Sequence, residues 1–122
     1  MALPKRVKVG GSYYKGYKLA VAAGVGDYVL DMTISVGGAL NGITIIPDAY
    51  GAGDYMTLEH LAADNTLVKT LVNTVYNVGA NAAWQFDFSA LELMGPGEKL
   101  RLTYTNAAGI ALNVYTTIER IQ

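Results

Sequence analysis

The chain has 122 residues, no cysteine, 52% hydrophobic and 16% charged residues, and a net charge of −1. That length makes one domain able to bury about two thirds of the surface its unfolded chain exposes, and without cysteine neither a disulfide framework nor a thiolate metal site is available. No apolar run reaches the roughly 18 residues of a membrane-spanning helix. Nine tyrosines and fourteen glycines beside so little charge argue against disorder, and an exterior this poor in charge implies that a partner covers much of it.

The charge is also unevenly placed. Lys5, Arg6, Lys8, Lys15 and Lys18 fall in the first 26 residues with no acid, while the remainder holds four basic residues and all ten acids, a net −6. Pro4, the basic cluster and the break Gly10-Gly11-Ser12 make residues 1–12 read as extended, and Tyr13-Tyr14-Lys15-Gly16-Tyr17-Lys18 continues a basic, aromatic element. The expected division is therefore an arm over residues 1–18 and a single β-sandwich domain over 19–122. Leu19-Ala20-Val21-Ala22-Ala23, following basic residues, has the outline of a secretory signal, but it is short, alanine-rich and interrupted by Gly24 and Gly26, so export is not expected.

From there one phrase recurs three times: glycine, any residue, glycine, an acid, then alternating apolar and polar residues. It occurs at Gly24-Val25-Gly26-Asp27, Gly51-Ala52-Gly53-Asp54 and Gly95-Pro96-Gly97-Glu98. Glycine reaches φ above zero without steric cost and period-two alternation marks a half-buried strand, so each copy predicts a corner feeding a strand. A P-loop needs Lys and then Ser or Thr after its glycines, and a dinucleotide site needs glycines opening a helix; neither follows here.

The alternation predicts strands over Tyr28–Val36 (Tyr28, Leu30, Met32, Ile34 and Val36 inward), Leu40–Ile46 and Asp54–His60. Residues Leu67–Tyr76 fit a helix by spacing, but their β-branched content favours a strand. Trp84, Phe86 and Phe88 alternate with Gln85 and Asp87 as one aromatic core row. Ala90–Met94 is expected to make one helical turn. Lys99–Thr105 and Ile110–Ile121 read as a closing pair joined by the hairpin loop Asn106-Ala107-Ala108-Gly109. Seven or eight strands with regular corners and no long helix predict an all-β, two-sheet antiparallel β-sandwich of jelly-roll type.

Chemistry is sparse. His60, the single histidine, excludes a multi-histidine metal site within the chain and is expected to be a structural or surface residue. Asp27 with Asp31, or Asp54 with Glu59, are the available acid pairs, but all four fall at corners or polar strand positions, and glycosidase chemistry is not expected. Asp48 and Asp54 flank one loop without the density of oxygen ligands that calcium prefers. No catalytic residue, metal or cofactor is predicted. Tyr50, at a loop tip, is the candidate for an exposed aromatic contact. Lys5, Arg6, Lys8, Tyr13, Tyr14, Lys15, Tyr17 and Lys18 form the candidate partner-binding element. Stacking tyrosines beside cations would suit nucleic acid, but the acidic body repels it, so a protein partner is expected instead.

The basic arm, the Gly26-Asp27-Tyr28 strand, the Gly51–Asp54 corner, the run from Gly95 through Glu98-Lys99-Leu100-Arg101-Leu102-Thr103-Tyr104-Thr105-Asn106 and the final alternating strand together resemble the small jelly-roll decoration, or cement, proteins of tailed bacteriophage heads. The resemblance runs from Tyr28 to Ile121 and is one of turn-and-strand style; no residue-level site carries over. It implies a non-enzymatic virion protein, made in the host cytoplasm. Such a protein binds the major capsid protein on the outer face of the shell as a dimer or trimer, without membrane contact. The competing expectation is a carbohydrate- or receptor-binding module of a phage tail or fibre.

Overall fold

In the computed structural model residues 7–9, 12–34 and 37–121 are described, and among them there are nine strands and no helix. The strands are β1 (Val7–Val9), β2 (Ser12–Val21), β3 (Gly26–Ile34), β4 (Gly38–Pro47), β5 (Tyr55–Leu61), β6 (Leu67–Tyr76), β7 (Trp84–Met94), β8 (Glu98–Asn106) and β9 (Leu112–Ile121). One sheet has the order β1-β2-β9-β4-β7 and the other β3-β8-β5-β6. All pairings are antiparallel and nested about the β5–β6 connection: β5 with β6, β4 with β7, β3 with β8 and β2 with β9. A long two-stranded ribbon is thus rolled up, and the additional pairs β5–β8 and β4–β9 seal its turns into two sheets. This is the double Greek key of a jelly roll, with β1 added at one edge.

Alternation decides which side chains enter the space between the sheets. Leu30, Leu102 and Leu58 stand in one register across β3, β8 and β5, and opposite them the second sheet contributes buried Ile43, Ile45, Val114 and Ile118. Leu67–Tyr76 is a strand, as its β-branched residues favour, and Trp84, Phe86 and Phe88 form the expected row. The Trp84 and Phe86 rings stack at 5.6 Å and the Phe86 and Phe88 rings meet edge to face at 5.0 Å.

Three expectations need correction. Ala90–Met94 is not a helical turn: β7 runs on to Met94, with exposed Leu91 and Leu93 alternating against buried Glu92 and Met94. Four residues at the period of a strand outweigh a local helix preference once a neighbouring strand supplies hydrogen bonds, and β4 pairs Ala39 with Leu93. Lys99–Thr105 and Ile110–Ile121 do not form a hairpin, because β8 and β9 belong to different sheets and residues 107–111 carry the chain from one to the other. The boundary at residue 18 falls inside β2, which pairs with β9 from Tyr13 to Val21 and buries Leu19 and Val21.

The glycine corners also divide. In the second and third copies the acid's N–H donates to the first glycine's carbonyl, Asp54 to Gly51 and Glu98 to Gly95, each at 3.1 Å, and the second glycine has φ 81° in both. These are type II turns, with Ala52 or Pro96 at the second position and the obligatory positive φ at the third. The first copy is wider, with φ 141° at Gly24 and 153° at Gly26, and its Gly24 N–H donates to Gly109 across to another loop. Because the two tight turns share one conformation, Gly53→Val and Gly97→Val should each lower stability by roughly 1–3 kcal/mol through a disallowed φ. Urea denaturation checks this, and a loss below the resolution of the method in both would show that the turns re-form differently.

Candidate functional site

The residues expected to bind a partner do not converge. Lys5 and Arg6 lie outside the described residues, and Lys8 stands opposite Tyr13 in the β1–β2 register. Along β2 the alternation sends exposed Tyr14 and Lys18 to one face. The Tyr14 hydroxyl donates to Glu119 Oε2 at 3.1 Å, a hydrogen bond that raises the phenol's pKa. Lys15 and Tyr17 take the other face, where Tyr17 packs half-buried against the core and the Lys15 ammonium stands 5.3 Å from its ring centroid. A strand cannot present consecutive side chains to one surface.

The acids are likewise engaged separately. Asp27 accepts from the Thr105 hydroxyl at 2.7 Å. Asp31 is held by both arms of the Arg101 guanidinium at 2.7 and 3.0 Å, a bond that keeps its carboxyl below its ordinary value. Glu59 shares the Arg101 register on the neighbouring strand. Asp48 accepts from the backbone and side-chain amides of Asn113 at 2.8 and 3.1 Å, well away in bonding terms from Asp54. Among the described residues no three His, Asp or Glu side chains are placed to hold a metal.

What the fold does gather is the set of loops at one end of the roll, where the connections β2–β3, β4–β5, β6–β7 and β8–β9 meet. Residues 22–25, 48–54, 77–83 and 107–111 contain no Lys, Arg or Glu, and their acids are Asp48 and Asp54 alone. Their polar side chains, with those of adjoining Tyr104, Asn106 and Asn113, point into one another. Asp54, fully buried, accepts from the Tyr104 hydroxyl at 2.6 Å and from the N–H groups of Ala107 and Ala108 at 2.7 and 2.9 Å. The Asn77 amide donates to Tyr104 and to Ala49 O, both at 2.9 Å, and its oxygen accepts from Gly79 N–H. Asn106 ties Ala22, Ile110 and Gly109 together in the same manner. Burial, then the bond to Asp54, pushes the Tyr104 phenol far above its ordinary value. The surface left outside this network consists of Val25, Tyr50, Val78 and Ile110 among alanines and Asn81, with Val25 and Val78 nearly four fifths exposed. Tyr50 is exposed, as expected from its loop-tip position. The other three were missed by sequence reasoning; the available signal was loops built of alanine where polar residues are usual.

The opposite end concentrates the ionic chemistry. His60 is buried, with Nδ1 at 2.6 Å from Glu92 Oε2 and Nε2 at 2.8 Å from Glu98 Oε1, and the Lys69 ammonium lies 2.8 Å from the other Glu92 oxygen. Since Glu92 stands on β7 and the others on the facing sheet, the cluster clips the two sheets together. The Gly95 N–H, and then His60, hold the Glu98 carboxyl below its ordinary range. Both ring nitrogens are occupied, so His60 offers none to a substrate.

Strand order and site together define a jelly-roll sandwich whose polar groups serve the fold and whose loop end is an uncharged, hydrogen-bond-locked surface. No family model matches the sequence, and no curated protein matches it either. Among solved structures the chain is similar to one in the cyanophage Pam1 capsid asymmetric unit, at 19% identity and a TM-score of 0.56, covering 98% of this chain and 91% of that one. It also aligns with an isomalto-dextranase of Arthrobacter globiformis T6 complexed with panose, at 18% identity, TM-score 0.46 and 93% of this chain but 21% of that one. A family 35 carbohydrate binding module from Clostridium thermocellum aligns at 13% identity and TM-score 0.42, covering 96% and 98%. At these identities the shared property is the fold.

Proposed function

We propose that the chain is a virion structural protein, a non-enzymatic decoration protein that binds the outside of a phage capsid and stabilises it by bridging shell subunits. The observation that carries this reading is the loop end, where the buried polar groups are satisfied internally and the exposed remainder is uncharged and mostly apolar, with Asn81 and the Tyr50 hydroxyl as its polar groups. Such a surface suits a protein partner, whose interface core is depleted in charge. It suits a glycan or a polar substrate less well, since those need several converging hydrogen-bonding groups and the loop end exposes only Asn81 and the Tyr50 hydroxyl. The chain's end-to-end likeness to a chain of comparable length in the Pam1 capsid asymmetric unit supports the same reading. The basic residues of the arm supply a second, charged contact to the shell, and repetition over the shell multiplies modest affinities.

The test is saturable binding to empty capsid shells. Val78→Glu and Ile110→Glu, both at exposed positions, should each weaken shell binding at least about tenfold, or 1.4 kcal/mol, with unchanged thermal midpoint. Removing residues 1–12 should leave a folded sandwich that binds more weakly, because β2 keeps its full pairing with β9. Unchanged binding by both loop-end variants would reject the loop end as the contact. A glycan-array signal that disappears on Tyr50→Ala, with no binding to shells, would establish the carbohydrate-module alternative.

A further inference from the structure

The outward face of the five-stranded sheet carries a depression of about 80 Å³ walled by the side chains of Tyr14, Thr44, Gln85, Asp87, Thr117 and Glu119. Strand register builds it. Gly42 on β4 pairs with Asp87 on one side and Glu119 on the other, and Thr44, one step along the same face, pairs with Gln85 and Thr117. The glycine keeps the space between the two carboxylates open, because a Cβ there would meet Phe86 O at 2.9 Å and Asp87 Oδ1 at 3.1 Å. Each carboxylate is positioned by a neutral donor: the Tyr14 hydroxyl gives to Glu119 Oε2 at 3.1 Å, and Gln85 Nε2 gives to Asp87 Oδ1 at 3.3 Å. The ion pairs among the described residues fall on Asp31, Glu92 and Glu98, so neither of these two acids has a basic partner there.

From this arrangement we infer that the depression receives the guanidinium head of an arginine side chain presented by a partner protein. The hydrogen-bonding capacity left inside it is one-sided. The Tyr14 hydrogen and one Gln85 hydrogen are spent on the carboxylates, which leaves the second carboxylate oxygens, the Gln85 amide oxygen and two threonine hydroxyls able to accept. A guanidinium is the complement: it has five donors, no acceptor and the positive charge that the two acids lack. The exposed Tyr14 ring at the rim offers it an aromatic face. A saccharide needs donors as well as acceptors, and the space is that of a few waters at about 30 Å³ each, room for a head group rather than a sugar ring. The surroundings suit a protein rather than a free amino acid. On one side along the strands Tyr115 and Ile46 stand paired on the same face, and on the other Leu91 and Leu93 are exposed in phase with Asp87. An arginine anchored amid aromatic and aliphatic contacts is a usual centre of a protein interface. The site shares no residue with the loop end and does not depend on the capsid reading.

The test is a titration of the full chain with N-acetyl-arginine amide at constant ionic strength, followed by backbone amide NMR shifts. Saturable shifts should centre on Gly42, Thr44, Gln85, Asp87 and Glu119, with a dissociation constant in about the millimolar range for so small a head group. N-acetyl-lysine amide, whose ammonium is a point charge, should bind at least about threefold more weakly. The peptide acetyl-Leu-Arg-Leu amide should bind at least about threefold more tightly, through the flanking apolar residues. Asp87→Asn combined with Glu119→Gln keeps the shape of the site and should abolish saturation up to about 50 mM probe, with unchanged thermal midpoint. Asp27→Asn, on the other sheet, should bind as the parent does. Shifts that do not saturate, an equal response to the lysine probe or to methyl glucoside, or a double variant that still binds would overturn the site, and a peptide no tighter than the amino acid amide would overturn the protein partner.

Discussion

Asp54→Ala should be the most damaging single substitution in the loop framework, lowering stability by roughly 3–4 kcal/mol out of the 5–15 kcal/mol available to a domain of this size. The carboxylate is fully buried and receives three hydrogen bonds from two other segments of chain, the Tyr104 hydroxyl and the N–H groups of Ala107 and Ala108. Bonds to a carboxylate acceptor contribute more than neutral ones, and removing it leaves the buried Tyr104 O–H without an acceptor, with the Asn77 amide as the phenol's remaining partner. Ala107 and Ala108 are exposed and can turn to water, so most of the loss falls on Tyr104. Asp54→Asn keeps an oxygen acceptor and should lose about half as much. Gly51→Ala reaches the same network from outside, because a Cβ there would overlap the Asp54 carboxylate. Thermal unfolding should drop by about 10–15 °C for Asp54→Ala. A drop of only a degree or two would mean that the four loops are held by their backbone bonds alone. The folded fraction of Asp54→Ala should also bind shells less well, since the loops that present Tyr50 and Ile110 lose their common anchor.

His60→Leu should lower stability by about 3 kcal/mol, by leaving Glu92 buried against the opposite sheet with Lys69 as its remaining partner. Both ring nitrogens lie within hydrogen-bond distance of a glutamate oxygen, so the His60 ring sits between two carboxylates. Removing the ring also removes the clip between β5 and β7. The double variant His60→Leu with Glu92→Leu should recover much of the loss, because a buried ion pair replaced whole by apolar groups is often neutral. A double-mutant cycle with no coupling would show that the pair does not act as a unit. Acid adds a second readout. The Glu98 carboxyl lies below its ordinary value of 4.5 in the folded chain, so its stabilising effect is complete above that value and is lost as pH falls through the lower folded one. Asp31, lowered by Arg101 from 3.8, behaves in the same sense. In His60→Leu the loss at acid pH should shrink, since one of the two causes holding Glu98 down is gone.

How far the sequence could be read depended on whether the relevant constraint was local. The inward row Tyr28, Leu30, Met32 and Ile34, the aromatic row from Trp84 and the tight corners at Gly53 and Gly97 were all visible, because alternation and positive φ are properties of a few consecutive residues. Most of β2 reads as arm from its basic and aromatic composition after the Gly10-Gly11-Ser12 break. Its place beside β9 comes from pairing partners far along the chain, such as Tyr14 with Glu119, 105 residues apart. The hairpin expected at Asn106–Gly109 failed for the same reason: a four-residue loop fits a sheet-to-sheet crossing as well as it fits a hairpin, and local sequence does not distinguish them.

By itself, then, the sequence determined that this is a cysteine-free, all-β chain of alternating strands with turns at known glycines and with little charge to spend on solvent. Only the tertiary structure decided which strands pair, that Asp54 and Glu92 are buried while Asp27 and Asp31 are not, and that uncharged loops meet at one end while ionic groups meet at the other. The physical reason is that periodicity sets which face of a strand is apolar, whereas the choice of neighbour is made by burial of all those faces at once, across long closed loops whose entropy only the complete roll repays.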